Sequence, residues 1–451
     1  MGVTRRTFVG AGLASGVAAA LRADHARSAT DLTDPVGAFE TAVRRFAEAR
    51  SSPAYDQSFA VQATPSVVAG DALEVRLRSS QPTALALLRV VWSPRAGRPS
   101  GEVVARATVS TAADLSTAWA PTVRGEWPSG LYMVVATQAS GAVRFAPVVV
   151  RSPVTERAAV MVQVPLTTYH AYNGWGGASL YRYNSPDGSA TELALTRPFD
   201  VFDGAGFAFY GDVQLAAWLH REGITASWTT SLDLHARADA LDGARVLVTS
   251  FHDEYWSTPM RDRLELFVAG GGNAVWLAAN SVYWRVRIDG DRMVCRKAVS
   301  ALDDPHPEPT CTWRNPLAGK SEHLLMGSRY LDYEHPYGTG FPYVVANAKH
   351  WAYDGTGLAD GDVIEGLVGY EWDHAPHVDM AGLTLLADGT FRSSDGDEQR
   401  HHATVLEHPG GGTVVNVGTT YWPRFLLGDA QFPADERIGS VTHNLLARLA
   451  R

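Results

Sequence analysis

The stretch from Ala244 to Val286, ARVLVTSFHDEYWSTPMRDRLELFVAGGGNAVWLAANSVYWRV, restricts the folds open to this chain more than any other. Arg245 to Ser250 is a short apolar, β-branched run, the pattern of a strand buried on both faces. His252, Asp253, Glu254, Tyr255 and Trp256 break that run. Met260, Leu264, Phe267 and Val268 then fall at helical spacing. Pro259 suits the first turn, and Gly270 to Gly272 end the helix. Ala274 to Ala279 is a second buried strand, and it ends on Asn280. The stretch therefore predicts two parallel strands that each deliver polar residues at a carboxyl end, the edge where open α/β sheets bind ligands.

The rest of the chain divides around this unit. Residues 1–30 carry the twin-arginine motif Thr4-Arg5-Arg6-Thr7-Phe8-Val9 followed by a mildly apolar stretch to Leu21. That stretch is too short and too rich in Gly and Ala to span a membrane, so it reads as an export signal cleaved between Ala20 and Ala29. The expected location is periplasmic or extracellular, with no membrane attachment after cleavage. Residues 31–57 predict an amphipathic helix (Phe39, Val43, Phe46) and a linker from Ser51 to Gln57.

Residues 58–152 change to alternating, β-branched runs: Ser66 to Val68, Leu73 to Leu77, Ala84 to Trp92, Val103 to Val109, Tyr132 to Thr137 and Val143 to Val150. Such spacing predicts a small antiparallel β-sandwich of immunoglobulin-like type. GEWPSGLY, Gly125 to Tyr132, enters the penultimate strand, and read locally Tyr132 is a tyrosine corner. Residues 153–451 read as one α/β domain, a mainly parallel sheet flanked by helices. Its expected strands lie at Ala158 to Val164, Ala226 to Thr229, Val363 to Tyr370 and Thr413 to Gly418, with helices at Phe209 to Glu222 and Ser440 to Leu449. Thr167 to Tyr183, TTYHAYNGWGGASLYRY, reads as a loop.

A net charge of −9 without a basic stripe excludes nucleic acid as a partner. Most of the 13 tryptophans are expected in the core. In an oxidising compartment the two cysteines, Cys295 and Cys311, are expected to form one disulfide, worth roughly 3 kcal/mol in the chain-entropy model. Neither sits on a strand-to-helix elbow, which argues against a catalytic thiol.

Three polar clusters fall at strand ends of the large domain: Tyr169/His170/Tyr172/Asn173, His252/Asp253/Glu254, and Asn280. Their convergence on one sheet edge makes them the candidate site. A GxSxG elbow and an HExxH helix are both missing, and GGGN at Gly270 to Asn273 closes a helix instead of opening one. Carboxylate and histidine acid/base chemistry remains, or a metal held by oxygen.

HAYNGWGGASLY (His170 to Tyr181), HDEYWSTPMRD (His252 to Asp262) and GGNAVWLAANSVYWRV (Gly271 to Val286) resemble the large, or β, subunit of N,N-dimethylformamidase. The similarity covers roughly Gly125 to the C-terminus. It implies a glutamine-amidotransferase-like fold for the large domain and a mononuclear iron held by two tyrosines and a glutamate. By motif the glutamate is Glu254 and one tyrosine is Tyr172; the other lies upstream, where Tyr132 is the best match. His252 and Asn280 fall on positions beside the metal. Phenolate and carboxylate are hard donors that suit Fe(III). The implied activity is hydrolysis of a non-peptide C–N bond in a small-molecule amide by metal-activated water, with His252 moving a proton and Asn280 donating to the oxyanion. The named enzyme works with a small partner subunit. For this chain, which differs in its export signal and short β domain, a small partner subunit and a homo-oligomer both stay open. Two other readings compete: a carbohydrate-directed protein, because the fold family includes relatives linked to sugar utilisation, and a non-catalytic exported binding protein.

Overall fold

The computed structural model describes residues 34–48, 56–297, 300–334 and 338–451. The expected export signal, linker residues 51–55 and the side chain of Phe46 lie outside them.

In the first part of the chain, apolar residues alternate along strands and so build two faces. Ala60–Ala63, Val75–Ser79 and Ala112–Trp119 form a three-stranded sheet. Ser66–Val68, Val143–Arg151, Gly130–Gln138, Thr83–Ser93 and Arg98–Val109 form a five-stranded sheet in that order, antiparallel except for its first pair. Leu85, Leu87, Tyr132, Val134, Ala136 and Val148 face Val61, Val75 and Leu77 of the other sheet. The opposite face, with Leu88, Val90, Leu131, Met133, Val135 and Phe145, is also covered. It shares one core with Phe39 and with Val213, Trp218 and Leu219 of the Asp212–Arg221 helix. This double cover explains why all nine residues of Gly130–Gln138 are buried. Apolar packing therefore continues across the expected boundary near residue 152.

The large part is organised on a seven-stranded sheet. Its order is Ala226–Thr230, Val160–Val164, Val246–His252, Asn273–Ala279, Thr413–Asn416, Glu398–Glu407, Leu383–Arg392. The first five run parallel and the last two antiparallel. Alternate residues serve two cores: Val246, Val248, Val275 and Leu277 on one side, Leu247, Ala274, Trp276 and Ala278 on the other. The second core also holds Met260, Leu264 and Val268 of the Thr258–Ala269 helix.

This corrects the expected fold class. Strand accounts for 37% of the chain and helix for 22%, in mixed and antiparallel sheets, so the protein is not a mainly parallel sheet flanked by helices. Glu398–Glu407 and Leu383–Arg392 escaped the sequence reading because they are not apolar runs. EQRHH opens the former, and its buried histidines have partners: Ala375 N donates to His402 Nδ1 at 2.8 Å, His402 Nε2 lies 3.2 Å from Asp388 Oδ1, and His401 Nε2 lies 3.1 Å from Val417 O. Elsewhere the structure adds short ribbons, among them Arg329–Tyr333 paired with Glu371–His374. Trp218, Trp256, Trp276, Trp313, Trp372 and Trp422 are fully buried, as core packing requires.

The expected disulfide is also corrected. Cys295 and Cys311 are buried, unbonded thiols beside the Trp284–Asp289 strand. Each behaves as a small apolar group: Cys295 packs with Met293, Val286 and Tyr255, and Cys311 Sγ lies 3.6 Å from Pro309 O. Burial pushes the Cys295 thiol up to about 12 and raises Cys311 as well. A thiol reagent at pH 8 is therefore expected to find no reactive cysteine in the native protein and two per chain in denaturant. Two missing thiols in denaturant would restore the disulfide.

Candidate active site

Val246–His252 and Asn273–Ala279 run parallel in register, His252 opposite Ala279, so His252 and Asn280 emerge at one edge. The neighbouring strand Val160–Val164 leads through Pro165 into a buried helix, Leu166–Tyr172, where the sequence reading expected a loop. Arg197 closes that helix. Its Nη2 donates to the carbonyls of His170 and Asn173 at 2.9 and 2.8 Å, and its Nη1 to those of Trp175 and Ala178 at 2.9 and 2.5 Å. A cation at a helix C-terminus is favourable, and here it places Tyr172.

Tyr172 Oη donates to Glu254 Oε2 at 2.7 Å and lies 3.0 Å from His252 Nε2. Tyr181, stacked on Tyr172 with centroids 4.2 Å apart, donates to Glu254 Oε2 at 3.1 Å. Tyr255 Oη donates to Tyr181 Oη at 2.8 Å. Lys297 Nζ donates to Tyr255 Oη at 2.7 Å and sits 3.5 Å from the centroid of the Tyr181 ring. Glu371 Oε2 lies 3.3 Å from His252 Nε2, and Asn280 Nδ2 donates to Glu371 Oε1 at 3.3 Å.

The backbone around the cluster is strained and clamped. Phe251, Asn280 and Val282 have φ of 59, 50 and 52°, a region costly for side-chain-bearing residues, above all a β-branched one. Asn280 N donates to Asp373 Oδ1 at 2.9 Å, Val282 N to Asp253 O at 2.8 Å and Trp284 N to Glu254 O at 2.9 Å.

Burial opposes the imidazolium of His252, but Glu371 and Glu254 outweigh it and raise its pKa to about 9. Burial raises Glu371 to about 7 against the pull of His252. Burial also acts against the Glu254 carboxylate, yet the His252 hydrogen bond and the charge of Lys297 hold it below the usual range. Burial first and Glu254 second push the phenols of Tyr172 and Tyr181 well up.

One His252 Nε2 faces Tyr172 Oη, Glu254 Oε2 and Glu371 Oε2 and cannot donate to all three. Glu371 Oε2 has no hydrogen-bond partner although it lies at ion-pair distance; the contact is close but not aligned. A buried pocket with more oxygens than protons is one that a cation relieves. Among the described residues no group of three or more His, Cys, Asp or Glu side chains is arranged to hold a metal, so a metal here would depend on phenol oxygens. Tyr172, Tyr181 and Glu254 are such a hard-oxygen set. Two clefts of about 450 and 440 Å³ lie elsewhere, and neither is lined by Tyr172, His252 or Glu254.

Tyr172, His252, Glu254 and Asn280 thus come together as the sequence suggested. Other candidates do not join them. Asp253 points to the opposite side, where Gln163 Nε2 donates to it at 3.0 Å and burial raises it to about 7. Tyr169 donates to Asp212, His170 lies tilted against Phe199 with ring centroids 4.6 Å apart, and Asn173 braces its own loop through Pro198 O.

The placement of Tyr132 is a further correction. Its ring lies inside the sandwich core beside Trp127, and its hydroxyl donates to Pro128 O at 2.7 Å. This is the tyrosine corner of the local reading. Tyr132→Phe loses that one hydrogen bond and is expected to cost about 1 kcal/mol by denaturant titration, with no change in whatever iron elemental analysis finds in the wild type. A loss of iron on this substitution would return Tyr132 to the metal.

Glu371, Tyr181, Tyr255 and Lys297 were missed. The signal for Glu371 was present in GYEWDH, where Glu371 and Asp373 alternate on one side of a short strand, and Tyr181 stood within HAYNGWGGASLY.

A family described as "N,N-dimethylformamidase beta subunit-like, C-terminal" matches residues 86–433. The N,N-dimethylformamidase beta subunits of Alcaligenes sp and Paracoccus aminophilus are each 33% identical over 103 residues. That alignment spans 22% of this chain and 14% of each relative's length. Among solved structures, the mmIFT52 N-terminal domain is matched over 51% of this chain and 86% of its own, at 11% identity and a TM-score of 0.28. With residues 86–433 matched, HDEYW and HAYNGWGG among them, the chain belongs to the N,N-dimethylformamidase beta subunit-like, C-terminal family.

Proposed function

We propose that this protein is an iron-dependent hydrolase of a C–N bond in a small amide. The cluster of Tyr172, Glu254, His252 and Glu371 at the carboxyl edge of the sheet, in a chain of this family, carries the reading. Tyr172 and Glu254 would hold the iron, with Tyr181 in place of Tyr132 as the third oxygen. The metal would supply Lewis acidity toward an amide carbonyl and lower the pKa of water. The protein's own groups do the rest. His252 holds a proton at Nε2 that a departing amine needs. Asn280 steadies Glu371 with one Nδ2–H, and its second N–H is available to a substrate oxygen. Glu371, next to His252 and with its pKa raised by burial, accepts a proton in turn. Lys297 and Tyr255 orient Tyr181.

The test is elemental analysis, visible absorption and amine release from a panel of formamides and acetamides. About one iron per chain, a tyrosinate-to-iron band and amine release support the reading. A folded, colourless, metal-free protein that releases no amine from any of them would sink it. The named relatives are subunits, and a partner subunit belongs to the proposal; co-purification tests it. So does export: replacing both Arg5 and Arg6 by Lys is expected to leave the protein in the cytoplasm on cell fractionation, and unchanged export would refute the twin-arginine assignment.

A further inference from the structure

Behind the helix that carries Tyr172 lies a second set of unspent polar groups. A cavity of about 440 Å³ opens between the β-sandwich and the large domain, with Val61, Pro147, Leu195, Phe199, Leu232 and Ile288 in its mainly apolar wall. His170 and Arg197 line it too. His170 is 2% exposed, and its Nδ1 is buried without a hydrogen-bond partner. Arg197 spends its two Nη atoms on the four carbonyls named above, and its Nε is likewise buried and unpartnered. Among the described residues no carboxylate forms an ion pair with Arg197. Asp200, whose field reaches it, accepts instead from Gly174 N at 3.0 Å. The charges at the cavity rim are committed elsewhere: Glu74 pairs with Arg76 at 2.9 Å, and Asp291 accepts from Thr196 Oγ1 at 3.3 Å.

A largely buried guanidinium without an ion-pair partner, in a cavity wall shared with an imidazole nitrogen that has no hydrogen bond, is costly unless something fills both needs. A carboxylate does so with charge-assisted hydrogen bonds, and the apolar walls suit a hydrocarbon body. We propose that this cavity binds a small organic monocarboxylate, its carboxylate between His170 and Arg197 and its body against Leu195, Phe199, Leu232 and Ile288. His170 and Tyr172 share one seven-residue helix whose last carbonyls Arg197 holds. Occupancy therefore bears on the element that positions Tyr172. The inference stands without the hydrolase reading.

Calorimetric titration of the full chain with sodium benzoate and sodium butyrate tests it. One saturable site is expected for at least one of them, and benzamide, which lacks the charge, should bind at least tenfold more weakly than benzoate. His170→Phe keeps the ring and removes both nitrogens. Ala236→Trp fills the cavity from an exposed wall position. Each should weaken binding at least tenfold, and Ala236→Trp decides alone if His170→Phe fails to fold by circular dichroism. Glu254→Gln should bind as the wild type does. No saturable binding, equal binding of benzamide, indifference to Ala236→Trp, or loss of binding in Glu254→Gln would each overturn the proposal; the last would put the carboxylate in the catalytic cluster.

Discussion

Glu254→Gln is expected to leave a folded protein with less than about a tenth of the wild-type iron and more than about 100-fold lower amide hydrolysis, since even partners outside a metal's ligands cost 10–100-fold when removed. Gln keeps the volume of the side chain, and its carbonyl still accepts from Tyr172 and Tyr181, which now donate at 2.7 and 3.1 Å. What it loses is the anionic oxygen. His252 then faces Glu371 alone, so the imidazolium loses part of what raises its pKa to about 9. Iron-free wild type and iron-free Glu254→Gln should melt within a few degrees of each other, because the cluster is a site of charge crowding and not a packing centre. Iron-loaded wild type should melt higher, since a ligand bound only by the native state stabilises it. Full iron occupancy with an unchanged visible band in Glu254→Gln would show that the carboxylate is no ligand.

Phe145→Ala is expected to cost about 3–5 kcal/mol and to lower the stability of the whole chain in one transition. Phe145 is 1% exposed on the outer face of the five-stranded sheet, with Phe209 and Phe39 at centroid distances of 5.6 and 6.4 Å. Those two residues come from the large part and from the Pro35–Glu48 helix, so the truncation opens a cavity in a core that both parts share. The chain is drawn so close here that a Cβ on Gly204, at φ +102°, would stand 2.1 Å from Phe145 O, an approach that only glycine allows. Scanning calorimetry should show a single endotherm for wild type and variant. Two separate transitions, only one of them shifted, would mean that the sandwich is an independent unit.

Much of the site was legible because its logic is local. In HDE, residues two apart point the same way, so His252 and Glu254 face the cluster while Asp253 turns to the other core. A buried β-branched run, a Pro-led helix and a second buried run give two parallel strands, and their ends deliver His252 and Asn280 together. The tyrosine corner was equally local, since Tyr132 reaches only four residues back to Pro128. The resemblance moved Tyr132 to the metal, and the sandwich core holds it where the short-range pattern had it.

Sequence by itself thus determined the strand–helix–strand unit, the alternation that aims His252 and Glu254, and the short-range brace at Tyr132. Tertiary structure alone decided that Glu371, from a strand 117 residues beyond Glu254 by sequence number, completes the cluster, and that Tyr181, with Lys297 against its ring, donates to Glu254 while Tyr132 stays in the sandwich core. It alone covered both faces of the five-stranded sheet, and it buried the histidines of Glu398–Glu407 by supplying partners from other segments. The physical reason is the same in each case. Spacing along a strand or helix sets which side chains share a face, but which faces meet is set by burial and hydrogen bonding between segments far apart in the chain.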